Sequence, residues 1–308
     1  GEKVKIYYNF DIPVEFKNSI LLIGNFDGLH VGHQKLFNLA RKFKKKFKSK
    51  IGVITFEPMP KMYFNKNLKN FRISNLNQKK EILKNFGTDF LIIKKFNRKF
   101  SKIKSLDFIK KILYQKLNTK FIFVSSNFRF GNKREGDIKQ LTSYERIFRY
   151  KLIKPKPLKL RKKIVSSTLI RKLISKGKIN LANKLLNRKW SIFSKVQEGK
   201  KLGKKIGFPT CNLDINDYVI AKPGVYAVKI YQKNKKKCLN GIANLGYRPT
   251  FNQKKLLLEV HIFKFNRNIY NKYLTIEFID FIRKEKKFKN INQLKKQINL
   301  DIKIAKKK

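Results

Sequence analysis

The sequence predicts an α/β domain with a parallel sheet, followed by an all-β domain, an antiparallel barrel with a C-terminal helix. Three observations support this fold class. The chain has 308 residues, a length at which one hydrophobic core usually gives way to two. Apolar runs alternate with helical patterns in the first part, whereas strand-like runs follow one another in the second. The hydrophobic share of 42% is ample for two cores.

Four apolar runs predict strands in the first part, and a basic amphipathic stretch follows each of them. The predicted strands are Ile20–Ile23, Val53–Phe56, Phe90–Ile93 and Phe121–Val124. Strands that alternate with helices pair in parallel. A helix-like segment, Leu169–Ser175, then ends at Gly177, because glycine commonly stops a helix.

After Trp190 the pattern changes to strand-like runs between turns rich in Gly, Asn and Lys. These runs are Gly224–Tyr231, Leu256–Phe265 and Tyr273–Ile282. No helix is expected between them until about Ile291, which favours an antiparallel barrel. The joint is predicted at Lys184–Arg188, so the domains are residues 1–184 and 185–308.

The first chemical motif is a glycine-rich turn between the first predicted strand and a helix that starts near Gly32. The turn reads Gly24-Asn25-Phe26-Asp27-Gly28-Leu29-His30-Val31-Gly32-His33. Such a turn points backbone N–H groups and a helix N-terminus at a phosphate in open α/β folds, and its glycines allow close approach and positive φ.

His30 and His33 are two of only three histidines in the chain. Their spacing lets both side chains face one side and donate hydrogen bonds to phosphate oxygens. The alternative is a structural or surface pair. As a metal site the pair lacks a third ligand nearby.

This turn resembles the G-x-F-D-G-x-H-x-G-H signature of the adenylyltransferase module of bifunctional bacterial riboflavin kinase/FAD synthetases. Three further segments are similar to motifs of that family and follow in the same order. They are Phe56–Pro60 (F-x-P-x-P), Asn127–Gly131 ([DN]-F-x-F-G) and Ser166–Arg171 (S-S-T-x-I-R). The resemblance implies a Rossmann-like nucleotidyltransferase domain that uses ATP to adenylylate FMN.

The resemblance also implies roles for single residues. Nucleotide contacts are implied for Gly24, Asn25, Phe26, Asp27, Gly28, Gly32, Ser166, Ser167 and Thr168, and catalytic contacts with phosphate for His30, His33 and Arg171. Flavin contacts are implied for Pro58, Pro60, Asn127 and Phe128. Prolines stiffen a loop, and a phenyl ring can pack on isoalloxazine. Taken alone, the S-S-T segment is only a good helix N-cap. Ser125 stands where the family often has glycine, next to the flavin loop.

The second motif covers residues 199–213 and spaces glycines four apart before a strand. The glycines are Gly199, Gly203 and Gly207. Such a loop can fold over a polyphosphate, although this spacing more often marks a hairpin. Thr210 and Asn212, two apart on the predicted strand, offer oxygen ligands suited to Mg²⁺. The run resembles the riboflavin kinase signature G-x-x-x-G-F-P-T-A-N, with Cys211 in place of another small residue, alanine.

Three later runs are also similar to that kinase. They are Gly224–Ala227, Asn244–Phe251 and Leu258–Ile262. On this resemblance Arg248 is assigned to substrate binding. Glu259 is a carboxylate on an otherwise apolar strand, a costly position unless it is paired or used; an edge-strand glutamate that faces water is the alternative. Asn271 replaces the glycine of the family's L-Y-G turn.

The resemblance runs from about Ile20 to Ile304 and implies a six-stranded barrel in the second domain. It further implies two Mg²⁺-dependent reactions: phosphorylation of riboflavin by ATP to FMN, and adenylyl transfer from ATP to FMN, giving FAD and pyrophosphate. Glu259 would act as general base on the riboflavin 5′-hydroxyl while Mg²⁺ and the glycine loop hold ATP.

The charge balance is strongly basic, with 76 Lys and Arg against 19 Asp and Glu and a net charge of +57. Such a charge suggests a polyanion partner. Lysine is nevertheless spread through the whole chain beside abundant Asn, Ile and Phe, as expected when coding sequence drifts toward A and T. We therefore expect only non-specific, salt-sensitive binding of nucleic acid, with riboflavin, FMN and ATP as the specific partners of a monomer or weak homo-oligomer.

The sequence also bears on location. No apolar stretch is long enough to cross a membrane, and residues 1–20 lack the features of a secretory signal. The chain has two cysteines, too few for a disulfide framework. We expect a soluble protein of the reducing cytoplasm.

Two other hypotheses stay open on the sequence. A tRNA-modifying or synthetase-like enzyme would also use H-x-G-H, but it should carry a K-M-S-K-S-type loop, and Lys61-Met62-Tyr63 lies too early in the chain. A non-catalytic RNA-binding module would explain the charge but not the second motif.

Overall fold

The computed structural model describes residues 3–197, 202–249 and 251–308, without the side chains of residues 202 and 203. The chain packs as two compact units. The first unit is the chain up to Lys69 together with Leu76–Ser166, and the second is Asn70–Asn75 together with Ser167–Lys308. Among the described residues, no helix is both long enough and apolar enough to span a bilayer.

The first unit is built on a six-stranded sheet in which every neighbouring pair is parallel, in the order β1-β4-β3-β2-β5-β6. Its strands are β1 Lys5–Tyr7, β2 Ile20–Ile23, β3 Ile51–Glu57, β4 Phe90–Lys95, β5 Phe121–Phe123 and β6 Lys151–Ile153. The strand order reverses beside β2, since β3 and β4 follow on one side and β5 on the other. Open α/β sheets bind ligands at such a switch point, and the glycine-rich turn follows β2 directly.

Helices and short turns cover both faces of this sheet. The helices are α1 Val31–Phe47, α2 Pro60–Phe64, α3 Leu76–Asn85, α4 Arg98–Ser101, α5 Ser105–Asp107, α6 Ile138–Ser143 and α7 Glu145–Phe148, with a π-helix at Phe108–Lys116 and 3-10 turns at Val14–Phe16 and Asn132–Arg134. Successive residues of β2 enter opposite cores: Leu21 and Ile23 pack on one face, Ile20 and Leu22 on the other. This is the expected pattern of a strand buried on both faces. A small hairpin, β7 Lys159–Leu160 with β8 Lys163–Ile164, lies outside the sheet.

The second unit is a closed barrel of six antiparallel strands in the order β10-β13-β12-β11-β14-β9, and pairing of β9 with β10 completes it. The strands are β9 Ser191–Gln197, β10 Cys211–Asp214, β11 Gly224–Gln232, β12 Cys238–Pro249, β13 Lys254–Ile262 and β14 Tyr273–Arg283. The helices are α8 Ser167–Ser175, α9 Ile179–Leu186, α10 Leu202–Lys205 and α11 Ile291–Lys306. Helix α11 packs on the outside of the barrel, where Ala305 joins a cluster with Val225 and Ile279.

The segment Asn70–Asn75 belongs to the second unit although it precedes α3 in the chain. The N–H groups of Phe71 and Arg72 donate to the Asp217 carbonyl at 2.8 and 3.0 Å. The Trp190 indole N–H donates to the Ile73 carbonyl at 3.0 Å. These hydrogen bonds hold the segment in place within that unit.

The predicted fold class is confirmed, and the four predicted strands of the first part are β2 to β5. Strands β1 and β6 were missed because each has only three residues, of which at most one is buried. The packing boundary, between Ser166 and Ser167, differs from the predicted joint at Lys184–Arg188. The boundary falls earlier in the chain because α9 packs with the barrel. There the Asn183 side-chain amide donates to the Phe278 carbonyl at 2.9 Å.

Candidate functional site

The glycine-rich turn leaves β2 with a strained backbone. Gly28 has a φ of 82°, and two bulky residues, Phe26 (49°) and Leu29 (41°), also adopt left-handed values. Such a conformation costs a side-chain-bearing residue on the order of 1–3 kcal/mol and is commonest at functional sites. Both side chains are almost fully buried, so core packing holds the turn in this shape.

His30 caps the N-terminus of α1. Its ring nitrogen Nδ1 accepts hydrogen bonds from the N–H groups of Gly32 at 3.0 Å and His33 at 3.3 Å. A ring nitrogen that accepts carries no hydrogen, so the geometry assigns the hydrogen of neutral His30 to Nε2. The sequence predicted a ligand contact for His30 but not this capping role.

Gly32 is the glycine that the histidine geometry requires. A Cβ at this position would lie 2.9 Å from His30 Cε1 and 3.0 Å from His30 Nδ1. Any side chain here would push the imidazole off the helix end. The absence of a side chain at Gly32, predicted to allow a close approach of the backbone, therefore also makes room for the His30 ring.

The rings of His30 and His33 stack with centroids 3.7 Å apart and 17° between their planes. The His33 ring also meets the Phe26 ring edge-on, with centroids 5.1 Å apart. Among the described residues His33 Nδ1 is buried and has no hydrogen-bond partner. Burial, then His30 and then Lys79 lower the pKa of His33 well below its usual value. Two imidazoles, with His33 uncharged, thus meet at the positive end of a 17-residue helix.

The remaining predicted residues of the first unit lie around the strand ends. The Asn25 side-chain oxygen is buried and unpartnered within the described part of the chain. Pro58 is exposed directly after β3, and Pro60 begins α2. Asn127 is exposed and accepts from the Ser125 hydroxyl at 2.9 Å, while the Phe128 ring stacks on a neighbouring phenylalanine, with centroids 5.5 Å apart.

The S-S-T-x-I-R motif falls at the boundary of the two units. Ser166 is the last residue of the first unit, and Ser167 begins α8 in the second. The Arg171 guanidinium carbon lies 3.6 Å from the Phe71 ring centroid, and its Nε donates to the Phe71 carbonyl at 2.9 Å. A cation over an aromatic face at this distance is well held. The phosphate role of Arg171 stays a prediction.

In the second unit the barrel register places three polar residues in one row. Glu259 on β13 is directly opposite Asn212 on β10 and, on its other side, directly opposite Asn244 on β12. Residues that face each other in this way share one face of the sheet, with Cβ atoms roughly 5 Å apart. Among the described residues the Asn244 side-chain oxygen is buried and has no partner. The row is therefore a cluster of oxygen atoms on one barrel face.

Glu259 is paired rather than left facing water. Arg248 Nε donates to Glu259 Oε1 at 3.0 Å, and Arg248 Nη1 donates to Glu285 Oε1 at 2.9 Å. Burial lowers the pKa of Arg248, but its bond to Glu285 and the charge of Glu259 outweigh burial and raise it. A permanent guanidinium thus orients the carboxylate that the sequence singled out.

The glycine loop before β10 is described only in part, and Gly199 lies outside the described residues. Gly203 lies in the short helix α10. Gly207 is exposed with a φ of 88°. Thr210 is exposed and lies one residue before β10, so it is not a strand residue.

Sequence reasoning missed three residues beside these sites: Lys79, Asn244 and Glu285. Asn244 had a signal, because it is a polar residue in a run that matches the kinase motif. Lys79 had one too, since it occupies an inward position between Leu76 and Leu83 on the apolar side of a helix. Nothing local marks Glu285.

Comparison with known proteins gives matches over both units. A family model for FAD synthetase matches residues 12–169, and one for riboflavin kinase matches residues 186–308. A bifunctional riboflavin kinase/FMN adenylyltransferase of Buchnera aphidicola subsp. Schizaphis graminum is 41% identical over 293 residues, 94% of each chain. That of Haemophilus influenzae is 37% identical, covering 93% of this chain and 92% of its own. A crystal structure described as a macrolide-efflux protein from Streptococcus pneumoniae superimposes with a TM-score of 0.87 at 28% identity, covering 98% of each chain.

Proposed function

Because this chain belongs to the family of bifunctional riboflavin kinase/FMN adenylyltransferases, we propose that its two activities are divided at residue 184. Membership makes the chain an ATP-dependent enzyme of flavin cofactor biosynthesis, with riboflavin, FMN and ATP as small-molecule substrates. In this proposal residues 1–184 transfer the adenylyl group to FMN, and residues 185–308 phosphorylate riboflavin.

Adenylyl transfer takes place at the glycine-rich turn. The observation that carries this assignment is the stacked pair His30 and His33 at the start of α1, at the switch point of the sheet. The helix end attracts the α-phosphate of ATP. The imidazoles donate hydrogen bonds as charge develops on that phosphate and on the departing pyrophosphate. The backbone of residues 24–32 surrounds the phosphates.

Other first-motif roles rest on the resemblance and on residue chemistry. The start of α8, with the hydroxyls of Ser167 and Thr168 and the guanidinium of Arg171, suits phosphate oxygens. Pro58 and Pro60 shape a loop for the flavin, and the half-buried Phe128 offers a ring face to it.

Riboflavin phosphorylation uses the polar row of the barrel. Glu259 accepts the proton of the riboflavin 5′-hydroxyl as that oxygen attacks the γ-phosphate of ATP, and the β–γ bond breaks to release ADP. Arg248 holds the carboxylate at 3.0 Å and so fixes its direction. Asn212, opposite Glu259 in the register, acts on the same phosphate in this proposal.

The side-chain oxygens of this site suit a Mg²⁺ ion that binds together with a nucleotide. Thr210 and Asn212 supply neutral oxygens, and no group of three or more His, Cys, Asp or Glu among the described residues could hold an ion by itself. Mg²⁺ commonly takes few protein ligands and completes its shell with phosphate oxygens and water. When bound, it neutralises charge on the transferring phosphate.

Two substitutions test the assignment in the full chain supplied with riboflavin, ATP and Mg²⁺. His33→Ala should stop FAD formation while FMN accumulates, because the donor to the α-phosphate is lost. Glu259→Gln should lower FMN formation from riboflavin by about 100-fold or more, yet FAD should still form from added FMN. Chromatography that resolves the flavins measures both steps in one sample.

Glu285→Gln is the matched control for Glu259→Gln, since each removes one carboxylate from Arg248. We expect it to leave most kinase activity in place. A near wild-type rate of FAD formation in His33→Ala, or of FMN formation in Glu259→Gln, refutes the role of the residue changed.

The setting of the enzyme is a separate part of the proposal. Two free cysteines, Cys211 and Cys238, suit the reducing cytoplasm. We propose a monomer or weak homo-oligomer that binds nucleic acid only without specificity, through its basic surface.

A further inference from the structure

A lysine is buried beside the glycine-rich turn. Lys79 lies on α3 with 2% of its surface exposed, and no other lysine of the described residues is buried. It faces inward with Leu83, which is fully buried one helical turn later. Removing an ammonium from water is expensive unless it is paired. The activities assigned above give this lysine no role.

The contacts of Lys79 reach both sides of the proposed adenylyl-transfer site. Its Nζ lies 3.4 Å from the Thr55 hydroxyl and 3.5 Å from Glu57 Oε1. The Thr55 hydroxyl in turn donates to the Asn25 carbonyl in the glycine-rich turn at 3.4 Å. Glu57 is the last residue of β3 and immediately precedes Pro58 of the F-x-P-x-P loop.

We propose that Lys79 is a positioning residue for adenylyl transfer, whose ammonium ties the start of the flavin-side loop to the nucleotide-side turn. One cation joins Glu57 directly and Asn25 through Thr55, so it sets the spacing between the two substrates' binding segments. This inference rests on the proposed roles of the turn and the loop. A lysine that merely neutralises Glu57 is the competing explanation.

The charge of Lys79 has a second effect, on His33. Burial contributes most to the lowered pKa of His33, and the neighbouring His30 and Lys79 lower it further. Of these two neighbours, His30 belongs to the same turn as His33, whereas Lys79 belongs to α3. Removing the ammonium takes away a positive charge, so the pKa of His33 should rise and the ring should take up a proton at higher pH. A residue that only fills space would leave this titration unchanged.

The test compares Lys79→Met with Lys79→Arg in the full chain, assayed for both reactions across pH. In Lys79→Met we expect kcat for FAD formation to fall between about 10-fold and 100-fold, as for a small displacement of reacting groups. The acid limb of that activity, the fall in the rate of FAD formation at low pH as His33 takes up a proton, should move to higher pH. Lys79→Arg keeps the charge and should keep the acid limb at its wild-type position.

Two internal controls separate this effect from misfolding. FMN formation by the same molecules should stay unchanged in every variant. Lys84→Met removes an exposed lysine from the same helix and should leave both reactions unchanged. Since the chain has three histidines, the His33 proton resonance, assigned from its loss in His33→Ala, reports the titration directly.

Wild-type FAD formation in Lys79→Met overturns the proposal, as does a loss of activity with an unmoved acid limb and an unmoved His33 titration. If Lys79→Met does not fold, Glu57→Gln tests the positioning role of Lys79 instead. It weakens the tie but keeps the ammonium, so kcat should fall with the acid limb in place, and an unchanged kcat overturns the proposal.

The experiment also separates this inference from the function it rests on. If His33→Ala still forms FAD, the adenylyl-transfer assignment of the turn fails. If His33→Ala is inactive while Lys79→Met and Glu57→Gln match wild type, only the role of Lys79 fails.

Discussion

At the scale of single residues, the two histidines of the turn show how position changes the chemistry of one side chain. His30 uses Nδ1 to cap a helix, which settles where its hydrogen lies. His33 has no such bond at Nδ1, and its surroundings keep it neutral. The same residue type therefore anchors the helix at one position and stays available to a phosphate at the other.

Cys211 and Cys238 provide a residue-scale prediction. Burial raises the pKa of the Cys211 thiol to about 12, whereas Cys238 is exposed. Because the thiolate is the reactive form, iodoacetamide at about pH 8 should label Cys238 at least about tenfold faster than Cys211. Peptide mass spectrometry of the folded protein measures the two rates. In urea both should react alike, and equal rates in the folded protein would contradict the raised pKa of the Cys211 thiol.

At the scale of secondary-structure elements, α11 depends on a buried ion pair as well as on apolar contacts. Asp301 is 1% exposed and accepts from Arg283 Nε at 2.9 Å and Arg283 Nη2 at 2.8 Å. Gln297, one turn earlier on the helix, also donates to it at 3.0 Å. These bonds fix the helix on the strand β14 that bears Arg283.

Removing this carboxylate charge should loosen the helix. Asp301→Asn leaves the Arg283 guanidinium without its counter-charge, and breaking such a buried pair costs about 3 kcal/mol or more. We expect the thermal unfolding temperature of the second unit to fall by several degrees. Calorimetry measures this change. Asp280→Asn, which weakens the more exposed pair with Lys308, is the control and should cost about 1 kcal/mol or less. Equal effects would show that burial does not set the strength of these pairs.

At the scale of the whole molecule, the net charge of +57 gives a prediction about non-specific binding. If the charge reflects compositional drift, the chain should bind duplex DNA of any sequence at about 50 mM salt and release most of it by about 200 mM. Fluorescence anisotropy with two unrelated duplexes measures this. A preference for one duplex, or binding that persists at high salt, would instead indicate a dedicated site.

The whole molecule also shows which predictions depended on local pattern. Strands β2 to β5 were predictable because each contains a mostly apolar run of buried residues, the mark of a strand buried on both faces. Strands β1 and β6 were not, since three residues with at most one buried carry no period. The placement of Asn70–Asn75 in the second unit had no local signal, because it depends on hydrogen bonds to residues such as Asp217, far along the chain.

The sequence by itself determined the two fold classes, the family and the positions of the histidine turn and of Glu259, because these are written in short motifs and residue periodicity. Only the tertiary structure decided that His30 caps its helix, that Arg248 holds Glu259, and that Lys79 is buried against Glu57. Each of these contacts depends on where a side chain points or on strand register. Both are fixed by packing among distant segments; a local pattern marked the inward position of Lys79 but not its partner Glu57.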